Sequence, residues 1–360
     1  MTNPLEQVGN QRKSRKFTFK DFSMKGKAEE LLSKMENDIF VLGRIAIKGQ
    51  STLIYAQTNA GKTLLIIYLL IKAIKQGDID PSNVFYLNAD DHGKGFAQKL
   101  QLADKYGFEM IGGGFEGNAD VAFSPDMLQE LLEERVEAGE AGNTIVILDT
   151  VKKFVDHMDK KGGRKFGMYT RPFITQGGTL IMLSHVNKHK DGEGKSIYSG
   201  TTDLIDDADC AFTLEVSEGE STRTITFEHQ KSRGDVALNA SYSYTRKEGQ
   251  SYFELLGSVT AVSAADAERE RELSDSKQFV TENIHIVNEI VACIRGGIAL
   301  KTELTKEVAE RTAEARKRVN KVLSKCTGNG ALQYWLFRTG EHNKQIYRLN
   351  KATAKSGAKI

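Results

Sequence analysis

The sequence predicts an α/β fold built on a mostly parallel central sheet, followed by a small, basic α+β domain. Three observations carry that expectation. Short runs that are apolar on both faces alternate with segments of helical periodicity, the pattern of strand–helix–strand units with both sheet faces covered. A glycine-bearing loop separates the first such strand from its helix. The charge reverses late in the chain: from Lys277 onward 16 Lys and Arg stand against 7 Asp and Glu, while the residues before it carry a net −7.

The elements follow in order. Arg12, Lys13, Arg15, Lys16 and Lys20 make a basic N-terminal arm, and Leu31, Leu32 and Met35 sit at helical spacing behind it. Ser51–Ala56 is a short apolar strand. The helix after it is closed by Gly77, a residue suited to the left-handed C-terminal position. "NVFYLNADD" reads as a second strand, and "SPDMLQELLEERVEAGE" as a helix with Ser124 at its N-cap. "NTIVILDT" and "GTLIMLSH" read as central parallel strands. "DCAFTLEV" and "TRTITFEHQKSRG" alternate more strongly, which suits antiparallel strands at a sheet edge. Residues 263–276, charged and poor in apolar side chains, read as a linker. The expected organisation is therefore an arm and short helix over 1–38, a core over 39–262, the linker, a second domain over 277–350 and a disordered tail over 351–360.

Composition narrows the class. Hydrophobic residues at 39% and charged residues at 27% are ordinary for a globular protein. Cys210, Cys293 and Cys326 are too widely spaced for a metal motif and read as buried thiols. No apolar run approaches the ~20 residues that span a bilayer, and no secretory signal opens the chain, so a cytoplasmic location is expected.

The loop Ala56–Gln57–Thr58–Asn59–Ala60–Gly61–Lys62–Thr63 fits the phosphate-binding pattern G-x-x-x-x-G-K-[ST] except at its first position. The chemistry needs backbone N–H groups at a helix N-terminus to wrap phosphates, a lysine to reach them and a hydroxyl to ligate Mg²⁺. Gly61, Lys62 and Thr63 supply the second half. Alanine at 56 is tolerable if its φ stays negative. The strand ending in Asp149 offers the metal-site carboxylate.

The order of these motifs, with "FYLNADD", "LSHVNKH", "SGTTDLIDDADCAFTL" and "KSRGD", resembles RecA-fold ATPases, above all hexameric replicative helicases of the plasmid RepA and DnaB types, over residues 40 to 255. The resemblance implies ATP and Mg²⁺ as cofactors, with Lys62 on phosphate and Thr63 and Asp149 on the metal. It implies that Asp90, where the family has a glutamate, or Asp91 polarises the attacking water, and that His185 senses the γ-phosphate. It also implies that Lys231 and Arg233 reach the nucleotide of the next subunit in a ring, a hexamer in that family. Two segments rich in Gly and Lys/Arg, 159–171 and 187–200, read as loops lining a DNA channel, with Lys160, Lys161, Arg164, Lys165, Lys188, Lys190 and Lys195 as candidates.

The C-terminal domain reads as three helices and a hairpin and resembles a winged helix. Its third helix carries Arg316, Lys317, Arg318, Lys321 and Lys325, and its wing Lys344 and Arg348. The expected partners are single-stranded or forked DNA, further copies of the chain and a replication initiator or loader, with no membrane. A mobile-element helicase is the leading reading. A DNA-bound ATPase switch that does not unwind, and a signalling ATPase without a DNA role, remain open at this stage.

Overall fold

The computed structural model describes residues 18–35, 39–114, 121–124, 126–155, 160–190, 196–198 and 203–355. The basic arm before Thr18 and residues 356–360 lie outside them. An exposed short helix α1 (Ala28–Met35) precedes the core. The core then runs β1 (Ser51–Ala56), α2 (Lys62–Gln76), β2 (Val84–Asn88), α3 (Gly93–Tyr106), β3 (Glu109–Gly112), α4 (Met127–Glu137), β4 (Ile145–Asp149) and α5 (Lys160–Thr175). After these come β5 (Thr179–Lys190), β6 (Ser196–Tyr198), α6 (Asp203–Asp207), β7 (Cys210–Glu218), β8 (Thr222–Lys231), β9 (Asn239–Thr245), α7 (Tyr252–Gly257) and β10 (Thr260–Val262).

The strands form one sheet in the order β10-β9-β8-β7-β1-β5-β4-β2-β3, with β6 paired to β5. From β7 through β3 neighbouring strands are parallel, and β8, β9 and β10 add antiparallel pairs. The expected mostly parallel sheet is present. β7, expected to be purely antiparallel, pairs parallel with β1 and antiparallel with β8. Two apolar layers cover the sheet. Leu65, Ile66, Leu69 and Leu70 of α2 pack with Ile54, Ile147 and Phe212 on one side. Leu128 and Leu132 of α4 and Phe166, Tyr169 and Phe173 of α5 pack with Leu53, Leu148 and Leu180 on the other.

The C-terminal part contains α8 (Ala264–Glu282), α9 (Ile284–Arg295), α10 (Lys301–Thr312), α11 (Arg316–Lys325), the antiparallel pair β11 (Trp335–Thr339) and β12 (Gln345–Leu349), and α12 (Lys351–Lys355). It has its own core around Ile286, Ile290, Leu304, Val319, Leu323 and Trp335, all fully buried. The three helices and the hairpin that the sequence predicts are there.

Five expectations are corrected. The segment 263–276 is the body of α8, started by Ser263, whose Oγ accepts from the Asp266 N–H at 3.2 Å. It buries only Ala267 and Val280 and docks through polar contacts instead: Arg271 donates to Glu228 at 2.6 Å, and Thr224 to Glu270. Residues 160–171 are helical, because Phe166, Tyr169 and Phe173 recur at helical spacing and face the sheet; that stripe outweighs the glycines. Residues 187–190 extend β5 and pair with β6, so this segment begins as a hairpin and not as a loop. Residues 351–355 form α12, where Asn350 Oδ1 accepts from the Thr353 N–H at 2.9 Å. The Ser124 cap is also absent: the N-cap of α4 lies two residues later, at Asp126, which makes no side-chain cap.

Candidate active site

Register builds the site. In the parallel sheet Ala56 stands beside His185, Leu183 beside Asp149 and Asp149 beside Asn88. β1, β4 and β2 thus end level beside Leu183 and His185 of β5, and the C-terminal edge of the strands is where open α/β sheets hold ligands. The chain turns from β1 through residues 57–61 directly into α2, so the loop's N–H groups and the helix N-terminus point into one place. A cavity of about 550 Å³ opens there, lined by residues 57–63 together with Asp90, Asp91, Asp149 and His185.

The departure from the motif at Ala56 has a structural answer. Ala56 is fully buried at the end of β1, and its φ is not positive. The left-handed positions of the loop are Asn59 (φ 61°) and Gly61 (φ 83°). Gly61 is required twice over, since a Cβ there would lie 2.7 Å from the Tyr244 hydroxyl and 2.8 Å from Ile225 Cδ1.

Lys62 is buried. Its Nζ donates to the Ser184 carbonyl at 3.1 Å and lies 3.2 Å from His185 Nδ1. Burial pulls its pKa down to about 8, against the attraction of Asp149 and Asp90. The His185 ring reaches onward, with Nε2 3.5 Å from Asp90 Oδ2. Burial, and then the Lys62 cation, hold the imidazole below its usual range, so it is neutral near pH 7. With Lys62 donating to Nδ1, the tautomer that serves both contacts carries its proton on Nε2.

Asp90 and Asp91 part company here. The Asn88 side chain accepts from both backbone N–H groups, at 3.3 and 3.1 Å, and fixes the turn. Asp91 is then tied down. It accepts from Asn88 Nδ2 at 2.6 Å and pairs with the buried Lys99 ammonium at 2.7 Å. Asp90 is the carboxylate turned toward His185.

Asp149 is fully enclosed and accepts from Thr63 Oγ1 at 2.7 Å and from the Tyr86 hydroxyl at 2.8 Å. Burial raises its pKa, opposed by those hydrogen bonds. A hydroxyl and a carboxylate 2.7 Å apart, beside a cavity of nucleotide size, fit Mg²⁺, which takes one or two protein oxygens and fills the rest of its shell with phosphate and water. Among the described residues no cluster of three or more His, Cys, Asp and Glu could hold a metal alone.

Sequence reasoning missed the wall formed by β8, β9 and α7. Arg223 donates to the Asn59 carbonyl at 2.7 Å and pairs with Glu218, and Tyr244, Arg246, Tyr252 and Leu255 line the same cavity. These residues carry no motif; only the sheet order brings them over the loop. Lys231 and Arg233 lie elsewhere. Lys231 donates to the carbonyls of Ile205 and Asp206 at 2.9 and 2.6 Å, and Arg233 to Asp209 at 3.1 Å. Neither lines the cavity of its own chain.

Of the basic candidates, Arg164 and Lys165 are exposed on α5, Lys160 and Lys161 open that helix, and Lys188 and Lys190 lie on β5. Lys195 is outside the described residues. On α11, Arg316 and Lys317 are exposed, as is Lys344 between β11 and β12. Arg318 is engaged by Asn283 and Glu314, and Lys321 and Lys325 lie over the Phe279 ring of α8. Those three face the junction with α8.

One family model overlaps part of the core. A family model described as an AAA domain matches residues 40–191. No curated protein matches the chain. Among solved structures the chain is similar to a KaiC-like protein from the hyperthermophilic archaeon Pyrococcus horikoshii OT3, with 11% identity, 63% of this chain and 99% of that chain covered, and a TM-score of 0.42. No helix among the described residues is long and apolar enough to cross a membrane. The loop, the Thr63–Asp149 pair and the sheet order give the core an α/β fold with a phosphate-loop site, and the stretch that carries the loop and that pair is similar to the AAA domain family.

Proposed function

We propose that this chain is an ATP-hydrolysing, ring-forming DNA motor of the replicative-helicase kind. The observation that carries the reading is the division of the catalytic groups. One chain supplies a complete phosphate and metal site, while Lys231 and Arg233 stand outside their own cavity, held in place by α6 and Asp209. A site needing a cation at the transferring phosphate would receive it from a neighbouring copy.

Within the site the roles divide by geometry. The loop N–H groups and Lys62 hold the phosphates, and Thr63 with Asp149 would hold Mg²⁺, which when bound neutralises charge on the β and γ oxygens. Asp90 orients the attacking water and takes up its proton as the water oxygen bonds to γ-phosphorus; the bond to the bridging oxygen breaks, and the diphosphate leaves with that electron pair. Aspartate is a methylene shorter than the glutamate of the resembling helicases, and His185 compensates by anchoring Asp90 to Lys62. The exposed Arg316, Lys317 and Lys344 of the winged-helix-like part, and the basic residues of α5 and the β5–β6 hairpin, supply phosphate contacts to DNA.

The test is ATP turnover with and without single-stranded DNA. Stimulation by DNA that is lost in both Lys62→Ala and Arg233→Ala, with Arg233→Ala rescued by mixing in Lys62→Ala subunits, supports the shared-site motor. Turnover indifferent to DNA sinks it.

A further inference from the structure

The phosphate loop is shaped from outside itself. Two of its positions stand in the left-handed region, Asn59 at φ 61° and Gly61 at φ 83°, and both lie against the strands β8 and β9. Glycine takes that region freely, whereas asparagine holds it only where its surroundings keep it there. Arg223 of β8 keeps it there. Its Nη1 donates to the Asn59 carbonyl at 2.7 Å. On the other side of the same peptide, the Ala60 N–H donates to the Gln57 carbonyl at 3.2 Å. A trans peptide points its carbonyl and its N–H in opposite directions, so these two bonds fix the plane between Asn59 and Ala60. α2 then opens on Gly61, which has no side chain to cap the first N–H groups of the helix, and their direction follows from the peptide planes before them.

Arg223 is placed to hold the loop. Its side chain is only 11% exposed, and its Nη2 pairs with Glu218, so both arms of the guanidinium fork are engaged within the chain. Tyr244 stands directly opposite it on β9, and the Tyr244 hydroxyl and Ile225 leave no room for a Cβ at Gly61. One wall thus meets the loop at both of its left-handed residues. The hairpin that carries the arginine is pinned in turn: Glu218 N–H donates to Ser274 Oγ of α8 at 3.3 Å, and Thr224 donates to Glu270.

We propose that Arg223 is a positioning residue for nucleotide binding: by holding the Asn59 carbonyl it sets the loop in its phosphate-wrapping shape before the nucleotide arrives, and it makes no contact with the γ-phosphate. This deepens the ATP-site reading above and rests on it.

The test is Arg223→Met in the full chain, with Lys62→Ala as the control. It is read by hydrogen exchange of the ligand-free protein and by titration with fluorescent ADP and a fluorescent non-hydrolysable ATP analogue. The expected result is faster exchange confined to 57–63, with β8 and β9 as in wild type, and affinity for both nucleotides weakened by the same factor, about 10- to 50-fold. The loss is equal because the loop N–H groups wrap phosphates that ADP and ATP share. Arg223→Lys keeps the charge and one donor but cannot hold the Asn59 carbonyl and Glu218 in one planar fork, so it should fall between, at about 2- to 5-fold. Loop exchange and affinity equal to wild type in Arg223→Met, or in Arg223→Lys where Arg223→Met does not fold, overturn the inference; with Lys62→Ala still impaired, the ATP site stands. A loss confined to the ATP analogue also overturns it, since the arginine would then be a γ-phosphate contact. So does exchange that quickens through β8 and β9, which would make the arginine a part of the fold alone. Failure of the wild type to bind either nucleotide removes the site and the inference together.

Discussion

At the scale of single residues, the phosphate loop separates positions where glycine is required from one where it is habitual. Gly61→Ala puts a Cβ into Tyr244 and Ile225 at a left-handed φ, so nucleotide binding should fall at least 100-fold, on the order of 3 kcal/mol. Ala56→Gly should leave affinity within about twofold and cost up to ~1 kcal/mol in thermal stability, because it only adds freedom to a strand end. Fluorescent nucleotide titration and melting curves check both. The two aspartates should also separate. Asp90→Asn removes the carboxylate facing His185 and should lower kcat by about 10²-fold or more with little change in stability. Asp91→Asn leaves the buried Lys99 without its counter-charge and should cost about 1–3 kcal/mol in stability while affecting kcat less. Sequence alone left this pair open, because adjacent residues on a turn point apart in ways only the turn decides. The Asn88 amide decides it here. Lys62, Thr63 and Asp149 were legible because their chemistry fixes residue type and spacing. Arg223 and Tyr252 were not, since nothing local marks them.

At the scale of elements, apolar periodicity located strands and buried helices well and failed where a helix is held by polar contacts. The segment 263–276 is the case in point. Its few apolar residues read as a linker, yet as α8 it lies along β7, β8 and β9 through Arg271, Glu270 and Ser274. A surface docked this way has no hydrophobic signature for a sequence to reveal. The helical assignment has a direct consequence for proteolysis. Arg269 and Arg271 are tryptic sites that a linker would offer freely, whereas a docked helix must first unfold locally. Limited trypsin digestion should therefore spare 264–282 and leave the core and the C-terminal part on one fragment. Early cleavage at Arg269 or Arg271 would contradict the docked helix. The opposite error occurred at α5, where glycines and lysines masked the Phe166, Tyr169, Phe173 stripe. There the sequence did carry the signal.

At the scale of the whole chain, the charge reversal has become a spatial division: a slightly acidic core carries the nucleotide site, and a basic C-terminal part has its own apolar core. Trp335 anchors the latter, fully buried, with its indole N–H donating to the Leu323 carbonyl at 2.9 Å. Trp335→Ala should cost about 3–5 kcal/mol, and because α8 buries so little against the core, that loss should unfold the C-terminal part while nucleotide titration of residues 39–262 stays normal. If DNA is gripped there, the same change removes phosphate contacts from Arg316, Lys317 and Lys344 and flattens the salt dependence of DNA binding. Each phosphate neutralised contributes about −0.9 to the slope of log affinity against log salt on duplex and about −0.7 on single strands. The double substitution Arg316→Ala, Lys317→Ala, which leaves the fold intact because both side chains are exposed, should therefore reduce the slope by about 1.4 to 1.8 and weaken all sequences alike. Arg318→Ala should act differently, since it is engaged by Asn283 and Glu314 and its loss loosens the seam between α8 and α11. Fluorescence anisotropy over a range of salt distinguishes the two. A slope unchanged by the double substitution would move DNA contact to α5 and the β5–β6 hairpin, and would turn the C-terminal part toward a protein partner.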